Sequence, residues 1–221
     1  MTSTTTPTIE RPAEIDGMNK IIHAAFRRDL TRIDDALAAF PAGSPARAAQ
    51  LSAAWDHFAY QLHTHHHDEE AFFWPAFAEL GVDPAVVADL RGEHDVMVAA
   101  LEAAEEAMAA FGADPSPANT AAAHQAVGWL RYVLGEHLAH EERDMDPFSD
   151  SHQSTREFKA AQRSSRKAHT EGAGNFFAWL SDDCSPEVRR ALHHEVPAPV
   201  LFLMTRLGGR RYTKTVASTW R

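Results

Sequence analysis

Two histidine–glutamate pairs, His65/Glu69 and His137/Glu141, have their members four residues apart, and His23 and His94 each stand alone in an apolar, periodic stretch. On a helix, residues four apart share one face a turn apart, so each pair presents an imidazole and a carboxylate in the same direction. Imidazole and carboxylate without thiolate form a donor set for divalent iron, and the same set suits manganese or zinc. Two donors from each of two segments and one from each of two others make six, which suits two metals better than one. A carboxylate between helices can bridge such a pair of ions. The single cysteine, Cys184, excludes an internal disulfide framework and any cysteine-only zinc or iron–sulfur site.

Four helices are needed to carry these residues, and the breakers supply four. Pro41, Gly43, Ser44 and Pro45 make the first break. Gly81, Asp83 and Pro84 make the second, Gly112, Asp114, Pro115, Ser116 and Pro117 the third, and Asp146 with Pro147 the last. Between them the chain is rich in Ala, Leu, Glu and Gln, which favours helix. Short loops then predict an all-α, antiparallel up-down-up-down four-helix bundle.

Apolar periodicity shows which face of each helix turns inward. The first stripe is His23, Phe26, Leu30, Ile33, Leu37 and Phe40. The second is Leu51, Trp55, Phe58, Leu62, His65, Glu69, Phe72 and Ala76. The third is Leu90, His94, Met97, Leu101, Met108 and Phe111, and the fourth Val127, Leu130, Leu134, His137, Glu141 and Phe148. Every stripe therefore contains a histidine, and a histidine or glutamate left in an apolar core costs several kcal/mol unless its polar atoms find partners.

Depth follows from about 1.5 Å of rise per residue. His23 lies 18 residues before Pro41 and His65 lies 20 after Pro45; Glu69 lies 12 before Gly81 and His94 lies 10 after Pro84. His94 stands 18 before Gly112 and His137 stands 20 after Pro117. In antiparallel neighbours these offsets agree within one turn, so all six residues fall in one layer. Of the other histidines, His63, His66 and His67 are read as solvated or supporting, and His140, Glu70 and Glu142 as supporting or surface. His57 and His124 lie off the stripes and are read as facing solvent.

Residues 1–12, rich in Thr and Pro, read as a disordered tail, residues 13–150 as the bundle, and residues 151–221 as a helical extension packed on it. The extension is expected to be helical from about Ser151 to Leu180, then around Pro186–His194 and Pro199–Leu207. No apolar stretch approaches the roughly 20 residues that span a bilayer. Without a basic, apolar leader at the start, the expectation is a cytoplasmic, soluble protein with no membrane partner. The formal charge of −10 divides into −16 over residues 1–150 and +6 over residues 151–221, and the simplest expectation is that the basic extension docks on the acidic bundle. Arg189, Arg190, Arg210, Arg211 and Lys214 lack an accompanying basic–aromatic motif, so nucleic acid is not the expected partner.

His23, then His65-x-x-x-Glu69, then His94, then His137-x-x-x-Glu141 resembles the hemerythrin, or His-His-Glu cation-binding, domain family. The runs HTHHHDEEAFFWPAF (63–77) and EHLAHEERDMDPFSD (136–150) look like that family's two ligand helices, and RGEHDVM (91–97) resembles its third. The resemblance covers roughly residues 13–150. It implies a four-helix bundle around two non-heme iron ions bridged by carboxylate and by oxo or hydroxo, held by His23, His65, Glu69, His94, His137 and Glu141, that meets O2, peroxide or nitric oxide. In the oxygen-carrying members a second histidine follows the third-helix histidine by one turn, where this chain has Val98. Four clear histidines leave a position for solvent, substrate or another side chain, which favours reactive chemistry over reversible oxygen carriage. Peroxide decomposition by a di-iron catalase- or peroxidase-like oxidoreductase in oxidative stress is the leading expectation; the alternative is an O2- or iron-binding sensor or storage module without turnover. A ferritin-like oxidase needs Glu-x-x-His pairs, and no histidine here has a Glu three residues before it.

Overall fold

The computed structural model describes residues 15–41, 43–169 and 172–221, which are helical with no strand among them. The tail expected at residues 1–12 lies outside the described residues. The bundle consists of α1 (Gly17–Ala38), α2 (Pro45–Asp68), α3 (Trp74–Leu80), α4 (Pro84–Ala113) and α5 (Pro117–Asp144), with a π-helical turn, Glu69–Phe73, joining α2 to α3. Each start has a local cause. Pro45, Pro84 and Pro117 open their helices, where a missing N–H costs nothing, and the side chains of Asp83 and Ser116 accept hydrogen bonds from Ala85 N and Asn119 N.

Cross-helix contacts give the directions. His23 meets His65 while Phe26 meets Phe58, so α1 and α2 are antiparallel. His63 meets Glu105 while Glu70 meets Arg91, which sets α2 against α4. Glu93 meets His137 while Ala110 accepts from Asn119, and His23 meets Glu142 while Asp34 meets Arg131, which set α5 against both α4 and α1. The inward stripes are buried as read, from Phe26, Leu30 and Ile33 on α1 to Val127, Leu130 and Leu134 on α5.

The π-helical turn changes one stripe. An extra residue in the turn rotates the downstream helix, α3, by about 100°, so Trp74 and Phe77 are buried beside Ala76, which is buried as read, while Phe72 is only half-buried. Pro75 accounts for the widening: its ring lacks an N–H and crowds the carbonyl four residues back, here Ala71 inside the turn.

Beyond the bundle come α6 (Asp146–His152), α7 (Arg156–Ala168), α8 (Ala173–Ser181), α9 (Pro186–Glu195), α10 (Ala198–Gly208), α11 (Arg210–Thr215) and a 3-10 turn, Ala217–Trp220. The stretch expected to be helical from about Ser151 to Leu180 is divided among the end of α6, α7 and α8, with Gly172 at the start of α8. α7 lies against α3 and the π-helical turn, α8 and α9 against α1, and α11 with the 3-10 turn against α2. α8 and α10 cross with their backbones in contact: a Cβ added at Gly174 would stand 2.4 Å from Gly208 Cα.

Among the described residues no Lys or Arg of the extension pairs with a bundle carboxylate, and of its histidines His169 does, 2.8 Å from Asp68. Arg28 donates to the carbonyls of Trp179 and Asp182, Arg32 pairs with Asp182 and Asp183, and the Trp179 indole donates to buried Asp29 at 2.6 Å. At the arginine pairs of this joint the cations are the bundle's and the carboxylates the extension's, the reverse of the expected polarity, because a tally of charge does not say which residues face the joint. His57, expected in solvent, is covered here by Trp179 and Tyr212.

This joint makes two outcomes measurable. Trp179→Phe removes the indole N–H and leaves a buried carboxylate oxygen short of a donor, so unfolding stability should fall by about 1.5–3 kcal/mol; an unchanged denaturant midpoint would show that Asp29 does not anchor the extension. Burial pushes His57 down to about 4 from its ordinary 6.5. The unfolded chain therefore takes up this proton at higher pH than the folded one, so stability is full above pH 6.5 and falls as pH drops toward 4. Measured across that range, His57→Gln should flatten the profile relative to the parent, and parallel profiles would contradict the buried neutral ring.

Candidate metal centre

Seven side chains from the four long helices and the π-helical turn converge in one layer of the bundle. One group is His66, Glu69, His94 and His137; the other is His23, His65, Glu69 and Glu141. In each, one nitrogen or oxygen per residue lies within 4.8 Å of all the others. The structure thus brings together all six residues singled out in the sequence. It adds His66, which the sequence reading leaves among solvated or supporting residues.

His66 is buried at 9% exposure, with its ring centroid 4.5 Å from that of His94 and 5.8 Å from that of His137. The signal for it was present: His66 lies four residues after Leu62 and three before Glu69, both buried positions. A core face about 100° wide admits two neighbouring residues in one turn, and here both His65 and His66 flank the direction of Glu69.

Glu69 belongs to both groups. Its Oε1 lies 2.9 Å from His65 Nε2 and its Oε2 lies 3.4 Å from His94 Nε2. Neither contact has hydrogen-bond geometry, and both oxygens are buried without a partner, as are His66 Nε2 and Glu141 Oε2. Across the same space His23 Nε2 faces His65 Nε2 at 3.2 Å and His94 Nε2 faces His137 Nε2 at 3.1 Å. Orphaned lone pairs on a buried carboxylate and imidazoles converging nitrogen to nitrogen are what a cation needs around it, and such buried groups otherwise carry the full penalty of lost solvation. The residues therefore fit a metal pair.

The outward atoms of the rings are held. His23 Nδ1 lies 2.9 Å from Glu142 Oε1, which also accepts from Arg27. His137 Nδ1 lies 3.1 Å from Glu93 Oε2, while the other oxygen of Glu93 takes His140 at 2.6 Å. A carboxylate on Nδ1 directs the Nε2 lone pair inward and raises its basicity. Asn19 donates to Glu141 Oε1 and to Asp146. Trp74 stacks on His94 at 4.6 Å, with Arg91 on the indole at 5.3 Å. No histidine stands one turn after His94, and Val98 is exposed.

Burial holds His66 well below the ordinary histidine range, and burial above all lowers His137, so both rings are neutral with lone pairs to offer. At His23 burial also opposes charge, but the Glu141 and Glu142 carboxylates outweigh it and raise the ring to about 9. Burial likewise works against ionised Glu69, yet His65, His94 and His66 keep its carboxyl well below the usual range. Glu142, beside His23 and Arg27, is drawn down to about 2 despite burial.

No curated protein and no solved structure matches the chain significantly. The family model described as the Hemerythrin HHE cation binding domain matches residues 20–149, a span that includes all seven converging residues and more than half of the chain. The chain belongs to the hemerythrin HHE cation-binding domain family.

Proposed function

We propose that the chain is a non-heme di-iron protein in which Glu69 bridges two ions, one held by His66, His94 and His137 and the other by His23, His65 and Glu141. The observation that carries this reading is the Glu69 carboxylate, buried between two groups of imidazoles with neither oxygen hydrogen-bonded. His66 then takes the part that the resemblance assigns to a histidine one turn beyond His94.

Bound there, an iron pair supplies Lewis acidity and exchangeable electrons for O2, peroxide or nitric oxide, of which peroxide decomposition is our leading reading. Four donor residues per ion leave positions open to solvent or substrate. The chain's own part is to hold the donors and exclude water. Glu93 and Glu142 fix the rings of His137 and His23, and Asn19 fixes the orientation of Glu141. Phe26, with its ring centroid 5.4 Å from that of His65, covers the layer on its apolar side. A small ligand such as peroxide fits this setting better than a bulky organic substrate, since each of the seven residues is buried or nearly so.

Metal content separates the two groups. The parent should carry two irons per chain; His66→Ala and Glu141→Ala should each lose about one, and Glu69→Ala should lose both, by elemental analysis beside circular dichroism. Two irons retained in His66→Ala would remove His66 from the donors, and two retained in Glu69→Ala would end the bridged assignment. Turnover is read as O2 released from hydrogen peroxide by the iron-loaded full chain. Release well above that of equal free iron, and lost in Glu69→Ala, supports peroxide decomposition. Bound iron with no release would leave the sensor or storage reading in its place.

A further inference from the structure

Two apolar surfaces of this chain remain in solvent among the described residues, and they carry opposite charge. The first is α10, where Val200, Leu203 and Leu207 repeat at helical spacing with Phe202 beside them, exposed at 47%, 57%, 60% and 67%. A stripe at i, i+3 and i+7 is the pattern of a helix face that packs on something, yet this helix meets only α8 and α11 to any extent. The second is a groove of about 430 Å³ on the outer side of α4 and α5, walled by Val96, Ala99, Ala103 and Trp129. Trp129 and Tyr132 stack on each other at its rim, 53% and 60% exposed. Exposed large apolar side chains are ordinary singly and informative in clusters.

Charge follows the same division. Residues 196–221 contain five Lys and Arg and no Asp or Glu, whereas residues 92–130 contain six Asp and Glu and no Lys or Arg. Arg206, Arg210, Arg211 and Lys214 have no carboxylate partner among the described residues. Asp95, Glu102, Glu106 and Glu136 on the groove side likewise have no cationic partner there. A bulky, cationic helix face and a small-walled, anionic groove are complementary in shape and in sign.

The two cannot meet within one molecule. α1 and α2 form one edge of the bundle and carry α8, α9 and α11, on which α10 rests, while α4 and α5 form the opposite edge. We propose that the chain self-associates head to tail, the Val200–Leu203–Leu207 stripe of one copy seating in the α4–α5 groove of the next. The occupant of each surface is then the other surface of the same chain, a heterologous interface in which donor and acceptor patches differ. The screened attraction between exposed charges makes it salt-sensitive.

Sedimentation and light scattering on the full chain test this. At low salt the mass should rise above the monomer with concentration, and near 1 M salt, where screening reaches about 3 Å, it should fall back. Leu203→Glu destroys the stripe and keeps the groove; Trp129→Glu destroys the groove and keeps the stripe. Each alone should be monomeric with unchanged helicity. Mixed in equal amounts they should restore a species of two chains and no more, since each retains one of the two patches. If Trp129→Glu does not fold, Ala103→Arg fills the groove from an exposed position. A parent that stays monomeric over the whole concentration range overturns the proposal, as does a mixture that fails to associate. Capture of the parent by anionic phospholipid vesicles, abolished by Leu203→Glu and unaffected by Trp129→Glu, would assign the stripe to a lipid surface instead.

Discussion

Everything in this molecule is arranged around a buried group of donors that cannot satisfy one another. His23 faces His65 and His94 faces His137 through Nε2 atoms, and two such nitrogens share at most one proton. The Glu69 oxygens reach toward both pairs without making a hydrogen bond. Polar groups held like this in an apolar interior work against folding by several kcal/mol. The core above them, with Phe26, Phe58, Leu62 and Phe111 almost wholly buried, offsets that penalty. Cations held in the two groups would reverse it, because they would take up the lone pairs that otherwise have no partner.

Around the donors lies a layer that fixes direction rather than supplying more of them. Glu142 is held by Arg27 and holds His23; Glu93 holds both His137 and His140. The π-helical turn that begins at Glu69 keeps Trp74 against His94 and brings Phe77 onto Phe148 and Phe158. The extension reaches this layer too. Ser165 donates to Asp68 and His169 lies 2.8 Å from the other oxygen of the same carboxylate, one residue before Glu69. α7 thereby braces the turn that carries the carboxylate common to both groups.

Much of this was legible in the residues. Breakers with capping side chains marked the long helices, a three-four spacing named the inward faces, and equal offsets from the breaks put His23, His65, Glu69, His94, His137 and Glu141 at one height. The reading failed where it assumed one inward residue per turn. It therefore left His66 outside, although Leu62 and Glu69 bracket it at helical spacing. Past Glu69 it held for Ala76 but missed Trp74 and Phe77, because a π-helical turn is a tertiary compromise around Pro75 and leaves no periodic trace. His57 was misread since nothing local announces that Trp179 and Tyr212, more than a hundred residues away, cover it. Charge totals misled for a related reason: Arg28 and Arg32 are minority cations of an acidic bundle, yet they make the joint.

The central claim is that cations complete the interior, and anaerobic titration of ferrous iron into the metal-free full chain tests it most directly, with heat of binding and thermal unfolding followed together. The account predicts saturation at two equivalents and an unfolding temperature that climbs with each, since a ligand bound only by the folded state stabilises it. Saturation at one equivalent, or uptake of two with no gain in unfolding temperature, would contradict it.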